Sequence, residues 1–407
     1  MTINTNKLTQ RKWPLPMFPV GREVAGRIDS AEKSAVTLYD DNGVMVKSHD
    51  GHVYKTIPYP ADYHESCYIR TGIVRAFQFP DSVQAGSSGI TGMFRYNGCL
   101  NGVTGGNDAH LFSFSEKDDE IRDMGVFCHG SVKSSLAILS DGRIYTASDA
   151  PGSNCIYLWK GRKGGFERIP MKTKAGIRVL IRAEDKGNLY GISGEGEFFV
   201  YNTVTGQFTA SQIIDKNGLF SPVLACGPDG RIYGAGRWGS LYCCNPGEGS
   251  IEHLELKAPS LRGREFYNGV DCLLPDPQHK AIYGGTGADG ILFRIDLKSG
   301  QIISLGKPFS QPRIRCLAFG NDGYLYGIAG QNCCHLFRYD PQSGDLSDLG
   351  IFRVKIPRSW HAYEFDAAAT GPNGIIYFGE NDRISHLFTY QPQLGGNLKI
   401  NASPLVL

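Results

Sequence analysis

Short segments in which apolar and polar residues alternate recur along this chain, and a polar-glycine turn precedes most of them. The segment typically reads Ile or Leu followed by Tyr, and often then Gly. Alternation over four to eight residues after a turn predicts a β-strand with one buried face. Six copies are clear and two are weaker: Asp141–Tyr145, Lys186–Tyr190, Asp229–Tyr233, Lys280–Tyr283, Asp322–Tyr326 and Asn373–Tyr377, then Asn97–Asn101 and Asn42–Val46.

A second, aromatic-rich strand follows each copy. The copy around Asp322 predicts a complete unit, with strand A at Arg315–Phe319, B at Tyr324–Ala329, C at His335–Tyr339 and D at Asp345–Leu349. The other C strands are His52–Tyr54, His110–Phe114, Ile156–Trp159, Phe198–Tyr201, Leu241–Cys243, Ile291–Arg294 and His386–Tyr390. Consecutive tyrosines lie about 45 residues apart, a period typical of repeated four-stranded sheets.

This period and phrasing resemble those of β-propellers. We therefore predict an all-β fold, a single propeller of eight four-stranded blades, with seven as the alternative because the copy at Asn42 is degenerate. The predicted organisation is an N-terminal extension over 1–34 with a possible closure strand at Glu23–Arg27, the propeller over 35–400 and a C-terminal tail over 401–407. In blade phrasing and loop composition the chain also resembles the propeller lyases of acidic polysaccharides and oligosaccharides.

The composition of the chain limits the classes of binding partner that we expect. The formal net charge is +2, so no overall field favours nucleic acid or an anionic membrane, and neither is expected as a partner. The N-terminus lacks the apolar core of a secretory signal, which predicts a cytoplasmic protein. The 11 cysteines show no spacing typical of zinc and are interpreted as thiols of a reducing compartment. The cofactor is left unknown, and a divalent cation stays open.

The two faces of the predicted propeller differ in their loops. The A–B and C–D turns are short hairpins, whereas the B–C and D–A connections are long and basic, and loops on a rigid scaffold commonly carry function. A basic face favours an anionic ligand, for which we predict an acidic oligosaccharide. The candidate binding residues on this face are Arg264, Tyr267, Arg315, Arg178, Lys133, Arg237, Trp238, Trp360 and Arg383.

The reaction expected from the resemblance is β-elimination at a uronate. A lyase must neutralise the sugar carboxylate with a cation and remove the adjacent C5 proton with a base. The candidate catalytic residues are His361, Tyr363, Arg358 and His129. We predict that the first three lie with Arg264 and Tyr267 at the axial mouth of the basic face.

Two alternatives stay open. One is a non-catalytic scaffold that binds a glycan or a protein, since fold does not imply function. The other is a glycoside hydrolase, for which Glu265, Glu364 and Asp366 are the available carboxylates. The histidines that begin strand C in several repeats are predicted to make a recurring structural hydrogen bond between blades. The sequence leaves the oligomeric state open.

Overall fold

The structure is a computed structural model. It describes the backbone of residues 36–40, 43–47 and 53–56, residues 68–69, and residues 71–392 except 184–186, 210–211, 247–249, 277, 279–280, 332 and 355–359. The candidate closure strand at Glu23–Arg27 and the tail over 401–407 lie outside these residues. In the described part of the chain, no helix is long and apolar enough to cross a membrane.

Seven antiparallel sheets follow one another along the chain, and we number them as blades 1 to 7. Their strands are Gly89–Tyr96, Cys99–Ser115 and Glu120–Ser131 in blade 1; Ser134–Ile138, Ile144–Ser148, Cys155–Trp159 and Phe166–Pro170 in blade 2; Ile177–Arg182, Asn188–Ser193, Phe198–Asn202 and Phe208–Thr209 in blade 3; Ser221–Cys226, Ile232–Ala235, Ser240–Cys244 and Ile251–Lys257 in blade 4; Val270–Pro275, Ala281–Thr286, Leu292–Asp296 and Gln301–Gly306 in blade 5; Ile314–Phe319, Leu325–Ala329, His335–Tyr339 and Leu346–Ile351 in blade 6; Phe365–Thr370, Ile376–Glu380, His386–Gln391 and Ile73–Gln78 in blade 7.

The run Cys99–Ser115 holds both strands B and C of blade 1. A Cβ on Gly102 would strike the ring of Phe112, which is the relation that Gly191 has to Phe199 across strands B and C of blade 3. Blade 1 is therefore four-stranded like the others.

The ring closes because blade 7 combines both parts of the chain. Its outer strand is Ile73–Gln78, which pairs with His386–Gln391 in a register that joins Val74 to Tyr390. The seven inner strands contact one another in sequence around an axis, from blade 1 through blade 7 and back to blade 1. Closure completes blade 7 and leaves only the short inner and outer strands of the blades as sheet edges. The chain is a seven-bladed propeller, so the alternative count is confirmed and the eight-blade count over-read the copy at Asn42.

The degenerate first copy forms a separate small sheet. Strands Val36–Asp40, Gly43–Lys47 and Val53–Thr56 pair only with one another among the described strands. Strand Gly43–Lys47 of this sheet overlaps the copy Asn42–Val46 that the sequence pattern predicted as part of a blade.

The short turns have the structure that their residues favour. In blade 4, Gly230 has φ +82°, which costs a glycine little. The Asp229 carboxylate accepts the backbone N–H of Arg231 at 3.2 Å and the hydroxyl of Tyr233 at 2.7 Å. The recurring aspartate and tyrosine thus hold one hairpin from both sides.

The core lies between blades. Seven buried apolar clusters occupy the seven blade-to-blade interfaces. One of them combines Tyr233 and Leu241 of blade 4 with Ile282 and Phe293 of blade 5. Because each sheet buries both faces against neighbours, the blades fix one another around the axis.

The strand C histidines bond within blades. Nδ1 of His110 lies 3.1 Å from Asp123, and Nδ1 of His335 lies 2.9 Å from Asp348, in each case on the adjacent outer strand. His386 bonds Glu380 of its own blade at 3.1 Å. The recurring structural bond is confirmed for these three, but the prediction that it links neighbouring blades is wrong, because the ring points along its own sheet.

Candidate functional site

A β-bulge recurs near the start of the inner strand in six of the seven blades. A bulge bends its strand and redirects a side chain. The side chains at these positions line the mouth of an axial cavity: Thr91, Arg178, Pro222, Asp271, Arg315 and Asp366. Because inner strands begin at the D–A connections, this mouth opens on the face that the loop lengths indicated.

The cavity has a volume of about 290 Å³ and draws its lining from the inner strands of all seven blades. Polar side chains surround the mouth, whereas Met93, Leu136, Leu224 and Leu274 line the deeper wall. A pocket with a few polar groups converging on an apolar interior is the usual form of a ligand site.

One sector of the mouth consists of compensated charges. Arg315 lies 3.1 Å from Glu364 and 3.0 Å from Asp366, and its side chain is 11% exposed. Asn381 donates a hydrogen bond to the other oxygen of Asp366 at 2.8 Å. Burial acts to lower the pKa of Arg315, but Asp366 and Glu364 outweigh it and the pKa is raised. Arg315 is therefore a structural cation here.

A second pair lies beside it. Arg313 makes a two-pronged contact with Asp271, with Nε at 2.8 Å from one oxygen and a terminal nitrogen at 3.2 Å from the other. Arg313 has φ +75°, a conformation that costs a residue with a Cβ about 1–3 kcal/mol. The bidentate geometry holds the guanidinium in place and leaves Asp271 compensated.

The opposite sector carries cations without such compensation. Lys133 directly precedes the inner strand of blade 2, and Arg178 is the second residue of the inner strand of blade 3. Both line the cavity. Among the described residues, neither has a carboxylate within ion-pair distance. Burial and Asp271 raise the pKa of Cys272, and the Lys133 charge opposes that rise. This agrees with the place of Lys133 among the residues that line the cavity.

A histidine–aspartate pair lies near the connection from blade 1 to blade 2. Nδ1 of His129 lies 2.6 Å from Oδ1 of Asp108, and the imidazole is 82% exposed. The two residues are cross-strand partners, with Asp108 at the B–C turn of blade 1 and His129 near the end of its outer strand. A carboxylate on Nδ1 fixes the tautomer and leaves Nε2 as the proton acceptor. Lys133 lies just beyond the end of this outer strand, on the connection from blade 1 to blade 2.

His361 is in another part of the propeller. Its ring lies 5.3 Å from that of Tyr68, in a small hairpin of Arg353–Val354 and Trp360–His361 between blades 6 and 7. Burial, and then the charge of Arg353, lower its pKa. The residue does not line the axial cavity.

Tyr363 is fixed by its backbone, whose N–H donates to Glu380 at 3.1 Å. Arg358 and the side chain of Trp360 lie outside the described residues.

Arg264 and Tyr267 lie on the connection between blades 4 and 5, close to Arg237 and Trp238. The Nε of Arg264 is 3.0 Å from Asp289. His361 and Arg264 therefore occupy different sectors, with blades 5 and 6 between their connections, and the predicted constellation around His361 does not form at the mouth.

Arg383 is exposed on the B–C connection of blade 7, where its carbonyl accepts the N–H of Gly86.

Sequence reasoning missed Asp271 as a mouth residue. The signal was available, since Asp271 occupies the second position of strand A, as Arg178 and Arg315 do in their repeats. Aligning the repeats by that position would have identified the ring of mouth residues. No cluster of three or more metal-ligating side chains occurs in the described part of the chain.

No protein-family model and no curated protein matches this chain. Solved structures do. The extracellular domain of a putative one-component system from B. thetaiotaomicron matches with a TM-score of 0.57 and 17% identity, over 79% of this chain and 40% of that chain. U3-55K matches with a TM-score of 0.54 and 14% identity, over 78% of this chain and 98% of that one. This chain is a β-propeller repeat protein. At these identities the similarity shows the fold alone, and the chain spans less than half the length of the first structure.

Proposed function

We propose that this propeller is a carbohydrate-active enzyme that binds uronate-containing oligosaccharides at the axial mouth and cleaves them by β-elimination. The observation that carries the proposal is the pair Lys133 and Arg178, two adjacent cations at a cavity whose other charged groups already compensate one another. A carboxylate is the ligand that such a pair favours.

The same sector supplies a base. In β-elimination, the C5 proton next to the uronate carboxylate passes to Nε2 of His129 while Asp108 holds the ring. The electrons of the C5–H bond form the C4–C5 double bond, the C4–O bond breaks, and the leaving oxygen takes a proton from water at the open mouth. Lys133 and Arg178 stabilise the charge that grows on the carboxylate. General base catalysis of this kind contributes about 10²–10⁴ in rate.

The carboxylates of the hydrolase alternative are engaged elsewhere. Glu364 and Asp366 both bind Arg315, and Glu265 accepts the N–H of Gly263 at 3.1 Å. The scaffold alternative differs from the lyase in outcome, since it gives binding without turnover.

The test uses the full chain with uronate-rich polysaccharides and their oligomers, with and without chelator. An unsaturated uronate absorbs in the ultraviolet, so cleavage is followed directly. We expect His129→Ala to lower kcat by about 10²-fold or more. Asp108→Asn should lower kcat less and shift its pH profile, because it acts through the histidine. Arg178→Ala and Lys133→Ala should impair both KM and kcat, because the carboxylate is present in substrate and transition state.

Lys298→Ala is the matched control, since this exposed lysine lies at a C–D turn on the opposite face. Its activity should equal that of the wild type. Release of saturated sugars would reassign the protein to the hydrolases. Binding that is lost in Arg178→Ala, with no absorbance change on any substrate, would favour the scaffold. Activity that survives His129→Ala would remove the proposed base.

A further inference from the structure

A second surface on the same face exposes apolar side chains away from the cavity. Leu261, Phe266 and Tyr267 are 45%, 63% and 79% exposed on the connection between blades 4 and 5. Phe266 and Tyr267 belong to the short helical turn Glu265–Tyr267. Adjacent exposed aromatic and aliphatic groups of this size mark an interaction surface more often than they occur by chance. We name this surface, with Trp238 beneath it, the aromatic patch.

Buried polar groups hold the connection that carries the patch. The Asp289 side chain is fully buried and accepts the N–H of Leu261 at 2.8 Å, while Arg264 lies 3.0 Å from its other oxygen. Asn268 is 3% exposed and donates to the carbonyl of Pro259 at 2.7 Å. A loop anchored in this way presents its apolar side chains in a fixed arrangement, which lowers the entropic cost of binding.

Trp238 supports the patch from below. The Trp238 and Phe266 rings form a T-shaped pair with their centroids 4.9 Å apart, and the guanidinium carbon of Arg237 lies 3.7 Å from the centroid of the Trp238 ring. Trp238 also has φ +54°, and strained residues of this kind cluster at functional sites. With Arg237 over its ring and Phe266 against it, the tryptophan acts as a support for Phe266.

The charges around the patch are mostly positive. Arg262 and Lys257 are exposed, and the Lys257 amine lies 6.0 Å from the Trp238 ring. Of the nearby carboxylates, Asp289 is buried against Arg264, and Glu265 accepts the N–H of Gly263. A partner that covers the apolar groups therefore meets a cationic rim, which favours acidic groups around its own apolar anchor.

We propose that the aromatic patch binds a protein partner through a segment in which carboxylates flank an apolar or aromatic side chain. Phe266 and Leu261 carry no polar atom to orient a sugar, whereas a rigid cluster of aromatic residues with arginine is the composition of protein-binding hot spots. This site is separate from the axial mouth and does not depend on the proposed reaction.

The experiment selects random twelve-residue peptides displayed on phage against the full chain and then measures the affinity of the best synthetic peptide by fluorescence polarisation. We expect enrichment of sequences with Asp or Glu beside Leu, Phe or Trp. The double variant Phe266→Ser/Tyr267→Ser should weaken binding at least about tenfold, and Arg262→Glu should weaken it and reduce its dependence on salt. Val204→Ser is the matched control, because Val204 is 75% exposed near a C–D turn of blade 3, and it should bind normally.

Two results would overturn the proposal. The first concerns the peptides: either no acidic–apolar sequences are selected, or the selected peptide binds the double variant with unchanged affinity. In the second case, circular dichroism must show that the double variant is folded. The other is binding of uronate oligosaccharides that the double variant abolishes and Arg178→Ala does not, which would assign the patch to sugars. Loss of lyase activity in Arg178→Ala with peptide binding intact would separate the two sites.

Discussion

A single methyl group added at Gly284 should destabilise the propeller, because the aromatic side chain of Phe293 occupies the space above this glycine. Gly284 in strand B of blade 5 pairs with Phe293 in strand C. A Cβ on Gly284 would lie 2.8 Å from two carbons of the Phe293 ring and closer still to a third. Ordinary contacts begin at 3.4 Å, so the Phe293 side chain must move further into the buried cluster that it forms with residues of blade 4.

The magnitude follows from two opposing effects. Overpacking a dense core costs about 1–3 kcal/mol. Replacing glycine by alanine also restricts the unfolded chain, which stabilises by about 0.4–1 kcal/mol. Because the Phe293 ring is bounded on its far side by blade 4, overpacking prevails. We expect Gly284→Ala to lower the free energy of unfolding by about 1–2 kcal/mol.

Urea unfolding followed by tryptophan fluorescence measures this, and a double-mutant cycle with Phe293→Leu isolates the contact. The smaller leucine leaves room for the new methyl group, so the double variant should be more stable than the sum of the single changes by about 1 kcal/mol or more. Gly194→Ala is the control, since its Cβ would lie 3.2 Å from the methyl carbon of Ala175 and at least 3.6 Å from any other atom beyond the adjacent residues. A coupling below about 0.5 kcal/mol would refute the reasoning.

Two further predictions concern charged groups. Arg315→Met leaves two carboxylates buried without their cation, so unfolding in urea should show a loss of about 3–5 kcal/mol, and a loss below about 1 kcal/mol would mean that water reaches them. For Asp123, burial acts to raise the pKa, but hydrogen bonds from His110 and from the N–H of Gly125 outweigh it, and the pKa is lowered. The carboxylate therefore stabilises the fold above its unfolded pKa, and this stabilisation is lost as the pH falls through the folded value. Asp123→Asn should be destabilising near neutral pH and approach the wild type in acid, and a difference independent of pH would contradict this.

The sequence predicted most of the blade architecture because the signals are local. The C strand His335–Tyr339 has the predicted bounds, and the A strand around Arg315 begins one residue earlier than predicted. The turn at Asp229 and the tyrosine that bonds it lie within five residues, so their pattern is visible without the fold. The resemblance to propellers was visible for the same reason, because the repeated sequence pattern lies within a single blade.

The tertiary structure decided the number of blades. It also decided whether each charged residue at the cavity mouth has an ion-pair partner. Closure depends on Ile73–Gln78 pairing with a strand at the other end of the chain, and nothing local distinguishes such a strand from the degenerate copy before it. Arg315 and Asp366 are 51 residues apart, and Arg313 and Asp271 are 42 apart. Because the propeller brings successive inner strands to one axis, it determines which cations meet a carboxylate. It also determines which cations, like Lys133 and Arg178, have none within ion-pair distance in the described part of the chain. For this reason the proposed base is His129, which lies near Lys133 in sequence, and not His361, which lies between blades 6 and 7.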